Sequence, residues 1–162
     1  RACEDGRSKR HSGRIMRREE YLTSSPEETK KIAEKLALTL HGGELILAYG
    51  DLGCGKTAFC QGIGKALGVK RVINSPTFNL IKVYRGEKLS LYHVDCYRLE
   101  NSPEEQKEIG LEEVVSDPNI ITYVEWPDYG PKFLLEQQGV IRLTITYLGQ
   151  ENRKIVIEDE RF

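Results

Sequence analysis

The chain has 162 residues, 30% of them charged and 39% apolar, with a formal net charge of -1. That length suits one domain with a buried core. No apolar run approaches the roughly 18 residues that cross a bilayer, and a near-neutral chain is not built chiefly to hold nucleic-acid phosphates.

The charge is unevenly spread: residues 1–15 sum to +3, which leaves -4 for the rest. The only methionine is Met16. We therefore read residues 1–15 as an added leader and residues 16–162 as the working domain. With no signal-type or spanning segment, the expected location is the cytoplasm.

The first predicted element is a helix. Ser25 can cap it, Pro26 suits its first position, and Glu28 completes an S-x-x-E capping box. Ile32, Leu36 and Leu40 follow at spacing four and predict one buried stripe, which His41-Gly42-Gly43 should end. Residues 44–49 then read as a short strand buried on both faces. Lys56 to Leu67 read as a second helix, closed by Gly68. Gly62 and Gly64 weaken that helix by up to ~1 kcal/mol each relative to alanine, so both are expected where it packs closely on a sheet.

Between strand and helix lies GDLGCGKT, residues 50–57. The pattern Gly50-x4-Gly55-Lys56-Thr57 is a complete P-loop in its proper strand-loop-helix context. The physics accounts for each residue type. Glycines let the backbone amides turn inward as an anion-binding nest. The helix directs its positive end to the same place. Lys56 adds a full charge at the β/γ-phosphates, and Thr57 offers a hydroxyl to Mg²⁺. Cys54, Cys60 and Cys96 read as buried or semi-buried thiols, and Cys54, inside the loop, also lies where amide dipoles can lower its pKa. The other cysteines, Cys3, Cys60 and Cys96, form no CxxC or zinc spacing.

FNLIKVY-RGEK-LSLYHVD predicts a hairpin, SPEEQKEIGLEEVVSD a helix broken near Gly110, NIITYVEW a buried strand, and VIRLTITYL-GQEN-RKIVIED a second hairpin. The fold class is a single α/β, P-loop NTPase-like domain: a mixed β-sheet with two hairpins, flanked by helices. A P-loop needs an acid across from it. Asp95 and Glu125 both end apolar strands at the edge where open α/β sheets bind ligands. His93 shares a strand face with Asp95 and either orients it or packs as a structural imidazole. Trp126, directly after Glu125, is either core or a contact at the same edge.

GDLGCGKT (50–57), SPTF (75–78), YHVDCYRL (92–99) and VEWPDYG (124–130) occur together in an order and spacing that resembles the bacterial TsaE (YjeE) family. That family consists of small P-loop ATPases of tRNA N6-threonylcarbamoyladenosine biosynthesis, and the likeness runs from about Tyr21 to Ile157. The resemblance implies that residues 16–162 are a P-loop ATPase domain. ATP would be held by Gly50, Asp51, Leu52, Gly53, Cys54, Gly55, Lys56, Thr57 and Ala58. It implies Mg²⁺ at Thr57 and Glu125, a water-orienting Asp95, and a switch-type Thr77 near the γ-phosphate. Pro26, Asp128 and Arg153 are implied as adenine-side or phosphate-side contacts. The implied catalytic set is Lys56, Asp95, Glu125 and Thr77. The implied partners are TsaD and TsaB, with tRNA reached only indirectly and no membrane or DNA. Two other readings stay open: a nucleotide-sensing module with incidental hydrolysis, and a small-molecule kinase using Arg85 with Lys88, or Arg98, as a lid.

Overall fold

The computed structural model describes residues 3–9, 15–76, 80–108 and 110–161. In chain order come β1 (Cys3–Lys9), β2 (Ile15–Thr23), α1 (Pro26–Ala37), β3 (Leu45–Tyr49), α2 (Lys56–Leu67), β4 (Ile81–Arg85) and β5 (Ser90–Asp95). Then follow α3 (Pro103–Glu108), α4 (Leu111–Val114), β6 (Ile120–Glu125), β7 (Ile141–Tyr147) and β8 (Arg153–Asp159). Short 3₁₀ turns occupy Tyr97–Leu99, Pro127–Tyr129 and Lys132–Glu136.

The strands form one sheet in the order β1-β2-β8-β7-β3-β6-β5-β4. Its centre is parallel: β3 pairs with both β6 and β7, and β6 pairs with β5. The two expected hairpins, β4–β5 and β7–β8, attach antiparallel on either side. Parallel strands run with their carboxyl ends together, so the chain leaves β3, β5, β6 and β7 at a common edge.

Each face of the sheet has its own core. On one face, Ala33 and Leu36 of α1 and Phe59 and Ile63 of α2 pack over Ile46, Ala48, Leu91 and Tyr123. On the other, Leu99, Leu111 and Leu134 from the short turns and α4 cover Leu47, Val94 and Val124. Burying a side chain such as Phe59 or Leu111 stabilises the fold by about 1.5–3 kcal/mol. β3 is buried on both faces, as its unbroken apolar run predicts.

The first helix begins as expected. Ser25 is the N-cap and its hydroxyl accepts the Glu28 amide at 3.2 Å. The Glu28 carboxylate reaches back one residue further than a capping box requires, and accepts the Ser24 amide at 2.7 Å. The helix ends earlier than its apolar spacing implies, at Ala37. Leu40 is still buried, but it lies in the turn. Gly42 serves a different constraint: at φ 118°, a Cβ there would sit 2.0 Å from the Pro118 carbonyl oxygen.

Two strands were not anticipated. β2 reads as a charged chain start, yet it pairs with β8 and buries Met16, Tyr21 and Thr23. Its charges find partners on the solvent side: Arg18 meets Glu20 at 2.5 Å and Lys154 of β8 meets Glu20 at 3.5 Å. β1 pairs antiparallel with β2 and forms the sheet edge. Among the described residues, no helix is long and apolar enough to cross a membrane.

Close approach of α2 to the sheet holds for Gly64, where a Cβ would meet the Ile73 side chain at 2.2 Å and Leu91 of β5 at 3.6 Å. It does not hold for Gly62, which faces α1 instead. A Cβ there would lie 2.4 Å from the Lys30 carbonyl oxygen and 2.7 Å from the Ala33 Cβ. Gly62→Ala is therefore expected to destabilise the protein despite its gain of up to ~1 kcal/mol in helix propensity. Pushing two helices apart costs ~1–3 kcal/mol or more. A lower urea midpoint checks this; an unchanged or raised midpoint contradicts it.

Candidate functional site

The loop after β3 begins with a glycine whose backbone and surroundings leave little room for a side chain. At Gly50, φ is 144° and a Cβ would lie 2.5 Å from both Cys54 Sγ and the Ile145 carbonyl oxygen. Gly53 and Gly55 also have positive φ, 74° and 116°. A Cβ on Gly53 would meet nothing within 4 Å, so its freedom serves the backbone path rather than close packing. Gly55 is the N-cap of α2 and supplies no side-chain cap. The first amides of α2 therefore have no capping side chain, a geometry suited to an anion.

Lys56 opens α2 and is only 4% exposed. Its ammonium donates to the Gly50 carbonyl oxygen and lies 4.0 Å from the centre of the Trp126 ring. Both contacts suit a cation held away from bulk water. The Tyr123 hydroxyl donates to the Lys56 carbonyl at 2.7 Å, which ties the start of α2 down to β6. Trp126 itself has φ 56°. It stacks on Tyr129 at 5.3 Å and meets Tyr97 at 4.9 Å. Beside Lys56, the Thr57 hydroxyl is 2.5 Å from the hydroxyl of Ser75.

The two candidate acids arrive by register. Asp95 of β5 is the neighbour of Glu125 of β6, and Glu125 is the neighbour of Ala48 of β3. Glu125 is 4% exposed, and its Oε2 is 2.6 Å from Nε2 of the fully buried His93. The expectation that His93 orients Asp95 is thus corrected: the imidazole pairs across strands with Glu125. Asp95 instead accepts the Tyr97 amide at 3.0 Å. Burial pushes the Asp95 carboxyl above its usual range, against that amide, and the neighbouring Glu125 pushes it the same way.

Cys54 is also corrected. Its thiol is pushed up rather than down, because loss of hydration outweighs the nearby Lys56 charge and amide.

Arg153, at the start of β8, spends its guanidinium on backbone. Nε donates to the Cys54 carbonyl at 2.6 Å, and Nη1 donates to the carbonyls of Gln150 and Asn152. The same group lies 4.7 Å from the Tyr147 ring centre. Arg153 thereby fastens the glycine-rich loop of residues 50–55 to the β7–β8 turn. With Pro26, Gly55 and Ala58 it lines one cleft, along with Ser25, Thr29 and Glu151. Asp128 does not join them: it follows β6, on the other side of β3 from β7 and β8. Asp51 and Leu52 are exposed at the loop tip. Thr77 lies outside the described residues.

The donor chemistry fits Mg²⁺. A threonine hydroxyl and a buried carboxylate are hard oxygen donors, and Mg²⁺ is ordinarily held by one or two such groups plus substrate phosphates. Among the described residues there is no cluster of three His, Cys, Asp or Glu side chains that could hold a metal unaided. Ser75 of SPTF has no motif signal for its contact with Thr57, which joins positions 18 apart in sequence. Tyr97, Tyr123 and Tyr129 carried no motif signal of their own.

A family model described as TsaE, threonylcarbamoyl adenosine biosynthesis protein TsaE, matches residues 23–155. The tRNA threonylcarbamoyladenosine biosynthesis protein TsaE of Bacillus subtilis is 39% identical to this chain over 150 residues, 90% of this chain and 84% of that protein. The protein of the same name from Rickettsia bellii is 39% identical over 147 residues, 90% of this chain and 93% of that one. The fold is similar to the crystal structure of Bacillus subtilis YdiB, with a TM-score of 0.71 and 31% identity. That similarity covers 90% of this chain and 87% of the other.

Burial raises the thiols of Cys54 and Cys60, and that of Cys96 to about 12. All three should resist iodoacetamide at pH 8 in the folded protein and react once it is unfolded. Peptide mapping by mass spectrometry checks this; rapid native alkylation of Cys54 would restore the activated-thiol expectation.

Proposed function

The chain belongs to the TsaE family, and from that premise we propose that it is the ATP-hydrolysing subunit of the tRNA N6-threonylcarbamoyladenosine machinery. In this reading Mg²⁺ is its cofactor, and it resets a TsaD–TsaB complex between turnovers. One observation carries the ATPase reading. The uncapped start of α2, buried Lys56, Thr57 and buried Glu125 all lie at the carboxyl edge of the adjacent strands β3 and β6.

Each residue then has a role its surroundings suit. The amides of residues 50–57 receive the phosphates. Lys56 already has its ammonium at the loop, and its remaining N–H groups can turn to the β/γ-phosphates. Thr57 and Glu125 would hold Mg²⁺, which supplies charge neutralisation on the phosphate oxygens. Asp95, beside Glu125 in register, would accept a hydrogen bond from the attacking water. The cleft of Pro26, Ala58 and Arg153 would take the nucleoside side.

Mutation of the loop lysine tests the binding half. Lys56→Ala removes a charge-assisted phosphate contact whose loss costs about 1.5–3 kcal/mol, or roughly 10- to 150-fold in affinity. Unchanged affinity by calorimetry removes the reading. Glu125→Gln should bind ATP within about tenfold of wild type while phosphate release falls by a factor on the order of 10². Normal turnover in Glu125→Gln together with a dead Asp95→Asn reverses the roles of the two acids.

The machinery half is tested with TsaD and TsaB. Adding this chain should change the number of tRNA molecules modified per complex, and Lys56→Ala should abolish that gain. Equal cycling with and without the chain contradicts the resetting role.

A further inference from the structure

The alternation of β5 and β6 puts His93, Asp95, Tyr123 and Glu125 on one face, with His93 opposite Tyr123 and Asp95 opposite Glu125. The imidazole therefore reaches Glu125 diagonally, two positions along the neighbouring strand. It is fully buried, with the Tyr123 ring at 5.6 Å and nearly edge-on, at 72°. Only one ring nitrogen is used. Nε2 meets Glu125 Oε2 at 2.6 Å, while Nδ1 is buried with no hydrogen-bond partner.

We propose that His93 is a positioning residue for Glu125: its Nε2 bonds Oε2 and fixes the carboxylate that would hold the metal. The inference rests on the Mg²⁺–ATP reading above for its purpose, but not for its geometry. Nε2 is the ring nitrogen within reach of Glu125 and a carboxylate oxygen accepts, so the geometry points to the tautomer with its hydrogen on Nε2. A purely structural histidine does not account for the arrangement, since a leucine would fill the same space with no orphaned nitrogen. Outer-shell partners of metal-binding groups act in this way, by fixing the orientation of the ligand.

Two experiments on the full chain test this. Long-range ¹H–¹⁵N spectra of the nucleotide-free protein resolve the tautomer of each of the three histidines, and the His93 signals are those missing in His93→Gln. A protonated Nε2 with a bare Nδ1, shifted by Glu125→Gln, supports the proposal. A protonated Nδ1, or signals indifferent to Glu125→Gln, overturns it.

The second experiment measures the Mg²⁺ concentration needed to bind a fluorescent non-hydrolysable ATP analogue. His93→Leu should raise it by about tenfold or more, the usual cost of losing an outer-shell partner. Analogue binding in EDTA should be unaffected, and His93→Gln, which keeps an N–H donor, should recover most of the loss. An equal Mg²⁺ requirement in all three proteins overturns the positioning role. If neither variant folds, the wild-type tautomer decides. If wild type binds no analogue at all, the Mg²⁺–ATP reading fails and takes the metal role of His93 with it. The spectra still decide whether the histidine holds Glu125.

Discussion

Ala48 of β3 stands beside Glu125 of β6, and Glu125 stands beside Asp95 of β5. That parallel register is the constraint on which the rest of the site depends. A slip of one residue would turn every side chain of the moved strand to the opposite face. Glu125 would leave the α2 face, and Tyr123 would lose the Lys56 carbonyl. Register is strongly specified here because both faces of the central strands are buried: Ile46, Ala48 and Tyr123 belong to one core, and Leu47, Val94 and Val124 to the other. Apolar packing on two sides thus sets the placement of a few polar atoms at one edge.

Those polar atoms cost free energy that the cores must offset. Lys56, His93 and Glu125 are all buried, and burying charge or an unmatched polar group is unfavourable unless it is well paired. The pairing is nearly complete. Lys56 has a carbonyl and an indole face, Glu125 has an imidazole, and Asp95 has an amide. The exception is Nδ1 of His93, together with the buried hydroxyl of Thr122.

The order of elements was readable wherever local chemistry decides it. Ser25 and Pro26 announce α1, the glycines of residues 50–55 announce a loop, and the apolar run ahead of Glu125 announces a buried strand. Both hairpins followed from alternation around glycine-bearing turns. Legibility failed where a residue's partner is distant in sequence. β2 is written in charges because its neighbours β1 and β8 supply the pairing, so its own alternation is weak. Alternation places His93 on the same strand face as Asp95, but its bond runs across strands to Glu125. The bond from Arg153 to the Cys54 carbonyl, 99 residues away in sequence, has no local signal either. The left-handed backbone of Trp126 carries no sequence signature, since φ above zero at a bulky residue is set by its surroundings.

Arg153 also gives the sheet a mechanical property. Through one guanidinium, the turn between β7 and β8 is bonded to the Cys54 carbonyl in the middle of the glycine-rich loop. That turn is solvent-facing, with Tyr147 and Leu148 exposed beside it. One side chain thus couples an exposed turn to a loop at the carboxyl edge of the sheet, and the two cannot separate without breaking the same bonds.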